Sequence, residues 1–467
     1  MRSIILKNNL EIVLDDKNNN STCVIGFISK NGYSTIDYNI FPDCVTYFVS
    51  KLFVKANASL SEKQVLENID ILGKNFEIRV EKENVLFYLH VNKEDMLPAS
   101  NLLAKLIQEI TINKEVIDSV RKEIQAEIIS KGRSTSLQFG LANVFNDNNY
   151  GKAKLTSIDQ LALSTEETVY KYLLTYFNPK NCVLFVSGNY NELDYIDRCK
   201  YLWENWAPSY SFDSQTQIKK IDIDIYNQLP SIHFNNAIKE SADINLLFFI
   251  KEGFVPKEIE YTRSTIGDSN LLPNIKNILI SNTLNSDESQ ILQDNFIERV
   301  AIYMIVNEML VGSESSNFVY SNRADNYYNF VLSQYLQHSS FSIISVYLNC
   351  ENRNILNCVD KFVARLKELK NNIEFDQSFT KSRASLKLEL IEMQNNLVNV
   401  SLNNILNYIL QGVDYNVSDL LTKINFIDRN QVQKFFNEII SSENLHISIN
   451  CSERENRKIE NLFQNLL

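Results

Sequence analysis

The chain has 467 residues, a formal net charge of -11 at pH 7, and a hydrophobic content of 44%. This length corresponds to about two to four domains at roughly 100–200 residues each, with enough apolar residues for large cores. The acidic balance argues against a broad nucleic-acid interface, which needs a basic face, so no nucleic-acid partner is expected.

The first 200 residues alternate between strand patterns and helix patterns. Two paired strands are predicted at 3–13 and 23–29, joined across the polar segment DDKNNNST. The following elements are, in chain order, helices at 42–56 and 61–73, two strands within 76–91, helices at 94–111, 114–131 and 165–177, and a strand at 181–190. Ser61 is expected to cap its helix and Gly73 to end it. This order predicts an α+β fold with an antiparallel sheet covered by helices.

An internal repeat predicts a duplicated architecture. Segment 169–188 can be placed over 432–450 so that apolar positions coincide and a helix pattern changes to a strand pattern at the same point. Segment 120–129 matches 382–391 at nearly the same offset. We therefore expect two pseudo-duplicated domains. The predicted N-terminal domain spans 1–210 and is followed by a linker at 211–230. The predicted C-terminal domain spans 231–467 and contains a polar insertion at 252–294.

Histidine and cysteine usage limits the metal and redox chemistry. There are four histidines, and no two lie within five residues of each other. Short helical two-histidine zinc motifs are therefore excluded, although distant histidines could still meet in space. The seven cysteines include no C-x-x-C pair and indicate reduced thiols rather than a disulfide framework. No apolar run approaches the roughly 18 residues that span a membrane, and the N-terminus lacks a signal or transit pattern.

Four segments of the first half stand in the order and spacing of a known family. They are LKNNLEIVL (6–14), ISKNGYSTID (28–37), the stretch beginning LGKNFEIRV (72–107), and the stretch from YGKAKL to SGNYN (150–191). In this the chain resembles the M16 (pitrilysin/insulinase-type) metallopeptidases, in particular their two-domain members. These include subunits of mitochondrial processing peptidase, core subunits of the cytochrome bc1 complex and small bacterial M16 proteins. The resemblance implies the LuxS/M16-like metallohydrolase fold and covers the second half more loosely.

The resemblance also locates the positions of the family's zinc site. Active members carry H-x-x-E-H on the first helix, in which two histidines bind zinc and the glutamate is the general base, and a distant glutamate is the third protein ligand. Here TYFVSKLF stands in that place, with Thr46 and Ser50 at the histidine positions and Val49 at the general-base position. Glu127 falls on the third-ligand position, and Val120 falls on a supporting glutamate.

These replacements remove the chemistry of the motif. A hydroxyl is a poor zinc ligand, valine cannot accept a proton, and one carboxylate does not make a catalytic zinc site. We therefore expect no catalytic residue and no metal in this chain, with zinc in a partner subunit. Cys44, His90 and Glu127 form an alternative ligand set, but a buried free thiol at Cys44 and a surface or strand histidine at His90 are the simpler interpretation.

The second half of active members carries an arginine and a tyrosine seven residues apart that hold the substrate backbone. The segment SNFVYSNRADNYYNF matches that region, with Arg323 on the arginine and Phe330 on the tyrosine, so the hydroxyl is lost. Arg323 could contact peptide carbonyls or form a surface ion pair. A single glycine, Gly312, stands where the non-catalytic α subunit of the processing peptidase has a glycine-rich loop.

The resemblance and the missing ligands together predict a catalytically inactive M16-type subunit. It would form a heterodimer with an active, zinc-bearing subunit and help to bind and process presequence peptides in the matrix of a mitochondrion or mitochondrion-derived organelle. One alternative is a structural core subunit of the cytochrome bc1 complex. Another is the pseudo-subunit of a bacterial M16 heterodimer, in the cytoplasm or periplasm. None of these roles requires the chain to span a membrane.

Overall fold

The structure is a computed structural model. It describes residues 1–17, 21–73, 75–131, 136–145, 148–155, 157–206, 229–236, 241–250, 286–311, 328–339, 341–372 and 374–451. Arg323, Gly312, most of the predicted linker and residues 252–285 of the predicted insertion lie outside this range. The last residues of the predicted insertion, 286–294, belong to a long helix.

The first sheet contains six strands. Strands β1 to β6 span Arg2–Ile5, Glu11–Asp16, Thr22–Ser29, Phe76–Val80, Val85–Asn92 and Cys182–Gly188. Their order is β1-β2-β6-β3-β5-β4, and all neighbours are antiparallel except β2 and β6, which are parallel. The parallel pair is a feature that the sequence patterns did not indicate.

The predicted pairing of 3–13 with 23–29 is wrong. Residues 3–13 fold back on themselves as β1 and β2, with Asn9 at a φ of 69° in the turn. Strand β6 then lies between β2 and β3. Every residue of β6 is buried, and a strand that is apolar on both faces must occupy the interior of a sheet. This requirement overrides the adjacency of β2 and β3 along the chain.

Eight helices of the first half lie in the described residues. Helices α1 to α8 span Val45–Lys55, Glu62–Ile71, Met96–Gln108, Lys114–Lys131, Ser136–Val144, Ile158–Ala162, Glu166–Tyr176 and Glu192–Trp203. The five predicted helices are confirmed within a few residues. The Ser61 side chain forms a capping box with Gln64 at the start of α2, and Gly73 follows that helix with a φ of +118°. Helices α5, α6 and α8 were not predicted.

The second half repeats this arrangement. Its described strands, β7 to β11, span Ser231–Asn236, Ser241–Ile250, Phe330–Gln337, Ser342–Glu351 and Leu445–Cys451. Its described helices, α9 to α14, span Ser286–Val311, Ile355–Lys370, Phe375–Gln394, Leu397–Leu406, Val417–Phe426 and Arg429–Ile439. The strand order is β7-β11-β8-β10-β9, with β7 and β11 parallel.

The two sheets share one topology. The order β2-β6-β3-β5-β4 corresponds strand by strand to β7-β11-β8-β10-β9, and the parallel pair falls at the same place. Val169 on α7 and Val432 on α14, which the internal repeat aligns, are both fully buried. The α+β fold is thereby confirmed, whereas the domain boundaries at 210 and 231 stay a prediction.

One helix of each half packs against the sheet of the other half. Leu402 and Ile405 of α12 pack against Phe185 on the outer face of the first sheet. Phe145, just after α5, packs against Phe249 on the second sheet. The halves are therefore joined by two apolar clusters, and burying such clusters makes a large contribution to stability. In the described part of the chain, no helix has the length and apolar character needed to cross a bilayer.

Candidate functional site

The three motif positions lie on the buried side of α1. Thr46, Val49 and Ser50 are exposed by only 1%, 1% and 5%, respectively. The α1 sequence VTYFVSKLFVK is apolar over most of its surface, so the helix packs into the first core instead of presenting a polar face. The residues at the two predicted histidine positions and the predicted general-base position are thus packing residues.

The two hydroxyls at the histidine positions are already hydrogen-bonded within the protein. The Tyr172 hydroxyl donates to Thr46 Oγ1 at 3.1 Å. Ser50 Oγ donates to the backbone carbonyl of Tyr47 at 2.7 Å, within its own helix. Because buried hydroxyls need hydrogen-bond partners, these bonds account for the stability of both polar groups in an apolar setting.

Glu127 on α4 faces α1 and is bonded through both carboxylate oxygens. Its Oε2 accepts a hydrogen bond from the Tyr47 hydroxyl at 2.7 Å, and its Oε1 accepts one from Lys51 Nζ at 2.7 Å. Lys51 Nζ also donates to Glu123 Oε1 at 3.0 Å, and Lys55 Nζ lies 3.1 Å from Glu123 Oε2. Two lysines of α1 and two glutamates of α4 therefore alternate across the contact between the helices.

The pKa values at this contact reflect the ion pairs. Burial acts to lower the pKa of the Lys51 ammonium, but its hydrogen bonds to Glu127 and Glu123 outweigh that effect and raise it. Burial acts to raise the pKa of Glu123, but the bonds from Lys51 and Lys55 prevail and lower it. Burial and the hydrogen bond to Glu127 raise the pKa of Tyr47 to about 12. At neutral pH the lysines are therefore charged, and the Tyr47 hydroxyl keeps its proton.

The residues present do not fit the zinc ion that the family's active members hold. Neither hydroxyl position offers the imidazole or thiolate that zinc favours, and the one carboxylate is bonded to an ammonium group. Within the described ranges, no three His, Cys, Asp or Glu side chains come together as a possible metal site.

The alternative ligand set does not converge. Cys44 Sγ lies 3.6 Å from Ser164 Oγ. His90 Nε2 lies 2.9 Å from Thr22 Oγ1, on the first sheet. Glu127 bonds to Tyr47 and Lys51 of α1, and within the described residues the three candidate ligands do not form one group that could hold a metal ion.

Phe330 is the first residue of β9, an edge strand of the second sheet. Its side chain is 53% exposed, and its ring centroid lies 6.1 Å from that of Tyr347. The nearby Tyr328 hydroxyl donates to the Cys358 backbone carbonyl. The roles of Phe330 and Arg323 in peptide binding stay predictions.

Sequence reasoning missed Lys51, although a signal for it was present. Lys51 and Lys55 are four residues apart, and so are Glu123 and Glu127. Two helices that present like-spaced charges of opposite sign can pair along one face. A comparison of these two spacings would have predicted a contact between Lys51 and Glu127, the residue at the third-ligand position.

The family model of the insulinase-type peptidases, family M16, matches residues 43–153, which include α1 and α4. A Rickettsia felis protein named an uncharacterized zinc protease is 26% identical over 187 residues, which are 39% of this chain and 45% of that protein. The matches to the curated relatives span 33–49% of their lengths.

Solved structures share the whole architecture. A Helicobacter pylori protease matches with a TM-score of 0.75 at 13% identity over 96% of this chain and 99% of its own. An inactive M16 peptidase domain from Pseudomonas fluorescens matches at 0.72 and 11% identity over 97% and 98%. A chain of Candida albicans complex III matches at 0.70 and 12% identity over 99% of both chains. At these identities the structural matches establish the fold.

Proposed function

We propose that this chain, an M16-type protein by sequence and by fold, is a catalytically inactive subunit that pairs with an active, zinc-bearing M16 subunit. The observation that carries the proposal is the contact between α1 and α4. The positions of the two histidines and the general base are buried packing residues, and the carboxylate at the third-ligand position is bonded to Lys51. The chain keeps the scaffold of the site without its chemistry.

The need for a partner follows from the architecture of the family. Active M16 proteases enclose a peptide between four domains of this type, and this chain supplies two sheets. A heterodimer would let this chain complete the chamber while the other subunit supplies zinc and base. The Pseudomonas fluorescens structure, described as an inactive domain, is an example of the same fold without activity.

The substrate class that we propose is a presequence peptide, and the proposed location is the matrix of a mitochondrion or mitochondrion-derived organelle. Presequences are basic, and the net charge of -11 favours attraction of a basic peptide. Arg323 and Phe330 are the residues proposed to contact the peptide. Both positions come from the family register in the second half.

Two specific observations favour other partners. The Rickettsia felis relative is bacterial, in keeping with a pseudo-subunit of a bacterial M16 heterodimer. The full-length likeness to a complex III chain is in keeping with a structural core subunit. The identity of the partner separates these roles. The presequence-processing role and the bacterial role both require an H-x-x-E-H subunit, whereas the core-subunit role does not.

The first experiment measures zinc and peptidase activity in the purified chain. Elemental analysis should find no stoichiometric zinc, and a library of fluorogenic peptides should not be cleaved. A preparation with about one tightly bound zinc per chain and with chelator-sensitive cleavage would refute the proposal.

The second experiment recovers the partner by affinity purification and mass spectrometry, and then rebuilds the pair. The pair should cleave a basic peptide, and replacement of the glutamate in the partner's H-x-x-E-H motif should abolish cleavage. Arg323→Ala should raise the KM of the pair, whereas the control Arg353→Ala, at an exposed arginine of the same half, should leave it unchanged. Recovery of cytochrome b or c1 instead would support the core-subunit role. Equal KM values for both variants would remove Arg323 from the peptide site.

A further inference from the structure

We infer that Lys51 takes the electrostatic place of the metal, because its ammonium group holds the Glu127 carboxylate that active relatives offer to zinc. The chain would then reject zinc even if histidines were restored at positions 46 and 50. This inference rests on the proposed function and deepens it, since it names the residue that prevents zinc from binding at the site.

The geometry places Lys51 at the centre of the contact. It follows Ser50 directly on α1, and its Nζ lies 2.7 Å from Glu127 Oε1 and 3.0 Å from Glu123 Oε1. The Lys51 and Glu127 side chains are 27% and 20% exposed, so water screens the pair only in part. A zinc ion at the Glu127 carboxylate would have to displace the ammonium group or lie beside it. Either arrangement opposes binding, because two cations repel each other at such distances.

The other bond to Glu127 is compatible with a metal ligand. The Tyr47 hydroxyl donates to Oε2, and carboxylates that bind metals commonly accept such a bond from a neighbouring group. Lys51 donates to Glu127 as a cation, whereas Tyr47 donates as a neutral hydroxyl. The exclusion of zinc from the site is therefore assigned to Lys51, and not to Tyr47.

Lys55 provides a matched control on the same helix. It lies 3.1 Å from Glu123 and 3.4 Å from Glu62, and the structure shows no ion pair between Lys55 and Glu127. Lysine-to-methionine changes at the two positions remove the same charge and keep a similar apolar stem. If the effect of Lys51 were only to tether α1 to α4, the two changes would act alike on zinc binding.

The test uses the full chain with Thr46→His and Ser50→His as the starting variant, and zinc binding is measured by competition with a chromophoric chelator. Addition of Lys51→Met should tighten zinc binding by about 10–100-fold, a range typical of changes in groups that contact metal ligands. Addition of Lys55→Met should change it by less than about threefold. Glu127→Gln should cancel the gain from Lys51→Met.

Equal effects of the two methionine variants, or tight zinc binding by the starting variant alone, would overturn the inference. Either result would leave the proposed function standing, because that proposal fails only if the unmodified chain binds zinc and cleaves peptides. The two failures are thus distinguishable.

A second measurement covers the case in which the buried histidines prevent folding. Native wild-type protein is acetylated with an amine-reactive ester, and each lysine is followed by mass spectrometry. Lys51 should react far more slowly than Lys63, whose side chain is 86% exposed. Glu127→Gln should speed acetylation of Lys51 more than Glu62→Gln does, and an equal effect of the two changes would refute the pairing.

Discussion

Glu83 connects the two halves, and its removal should destabilise the whole chain. The residue lies in the turn between β4 and β5 and is 6% exposed. In the second half, the Ser339 backbone N–H lies 3.1 and 3.0 Å from its two carboxylate oxygens, and the Ser339 hydroxyl donates at 2.6 Å. The Tyr150 hydroxyl donates to the same carboxylate. Three donors therefore meet one buried charge at the contact between the halves.

The magnitude follows from these three donors. A hydrogen bond to a charged group contributes about 1.5–3 kcal/mol, and bonds that share one acceptor are not additive. Glu83→Ala also removes the cost of burying the carboxylate, but it leaves buried donors without a partner, so we expect a loss of about 3–5 kcal/mol. Glu83→Gln keeps one oxygen acceptor and should cost about 1–3 kcal/mol.

Urea unfolding followed by two probes is the suitable assay. Both tryptophans, Trp203 and Trp206, lie in the first half, so their fluorescence reports on that half, while far-UV circular dichroism reports on both. Glu94→Ala, at an exposed glutamate just after β5, is the control and should stay within about 0.5 kcal/mol of wild type. If Glu83→Ala shifts neither midpoint further than Glu94→Ala does, the reasoning about the buried contact is wrong.

Two further predictions concern buried positions. Burial and the neighbouring His233 lower the pKa of His446 to about 3, so the unfolded chain takes up the proton first as the pH falls below about 6.5. The free energy of unfolding should therefore fall by about 2 kcal/mol between pH 6.5 and 5 through this group. His446→Gln should weaken this dependence on pH in urea unfolding, and an unchanged dependence would contradict the assignment. Gly26→Ala would place a Cβ 2.2 Å from the Phe185 ring and 2.4 Å from the Phe87 carbonyl, and should cost about 3 kcal/mol or more. A wild-type melting temperature for that variant would contradict the packing.

Local patterns predicted the elements well, and long-range pairing was the part that they could not supply. The capped helix α2 follows from Ser61 and Gly73, because capping depends on neighbours along the chain. The insertion of β6 between β2 and β3 depends on burial of both of its faces, which is decided by the whole sheet. The packing of α5 and α12 against the sheet of the opposite half is likewise not indicated by local periodicity. The pair of Lys51 and Glu127 joins residues 76 positions apart, and only the family register drew attention to one of them.

If the family register is right, the positions of the zinc ligands and the general base coincide with the face of α1 that packs into the first core. A helix that binds a metal must keep a polar face open to the site, whereas α1 buries Thr46, Val49 and Ser50 and satisfies both hydroxyls internally. Restoring histidines would therefore require the first core to accept large polar side chains, in addition to the release of Glu127 from Lys51. On the proposed function, the contribution of this chain to a heterodimer lies in enclosure of the peptide and in surface contacts such as the exposed Phe330 on edge strand β9.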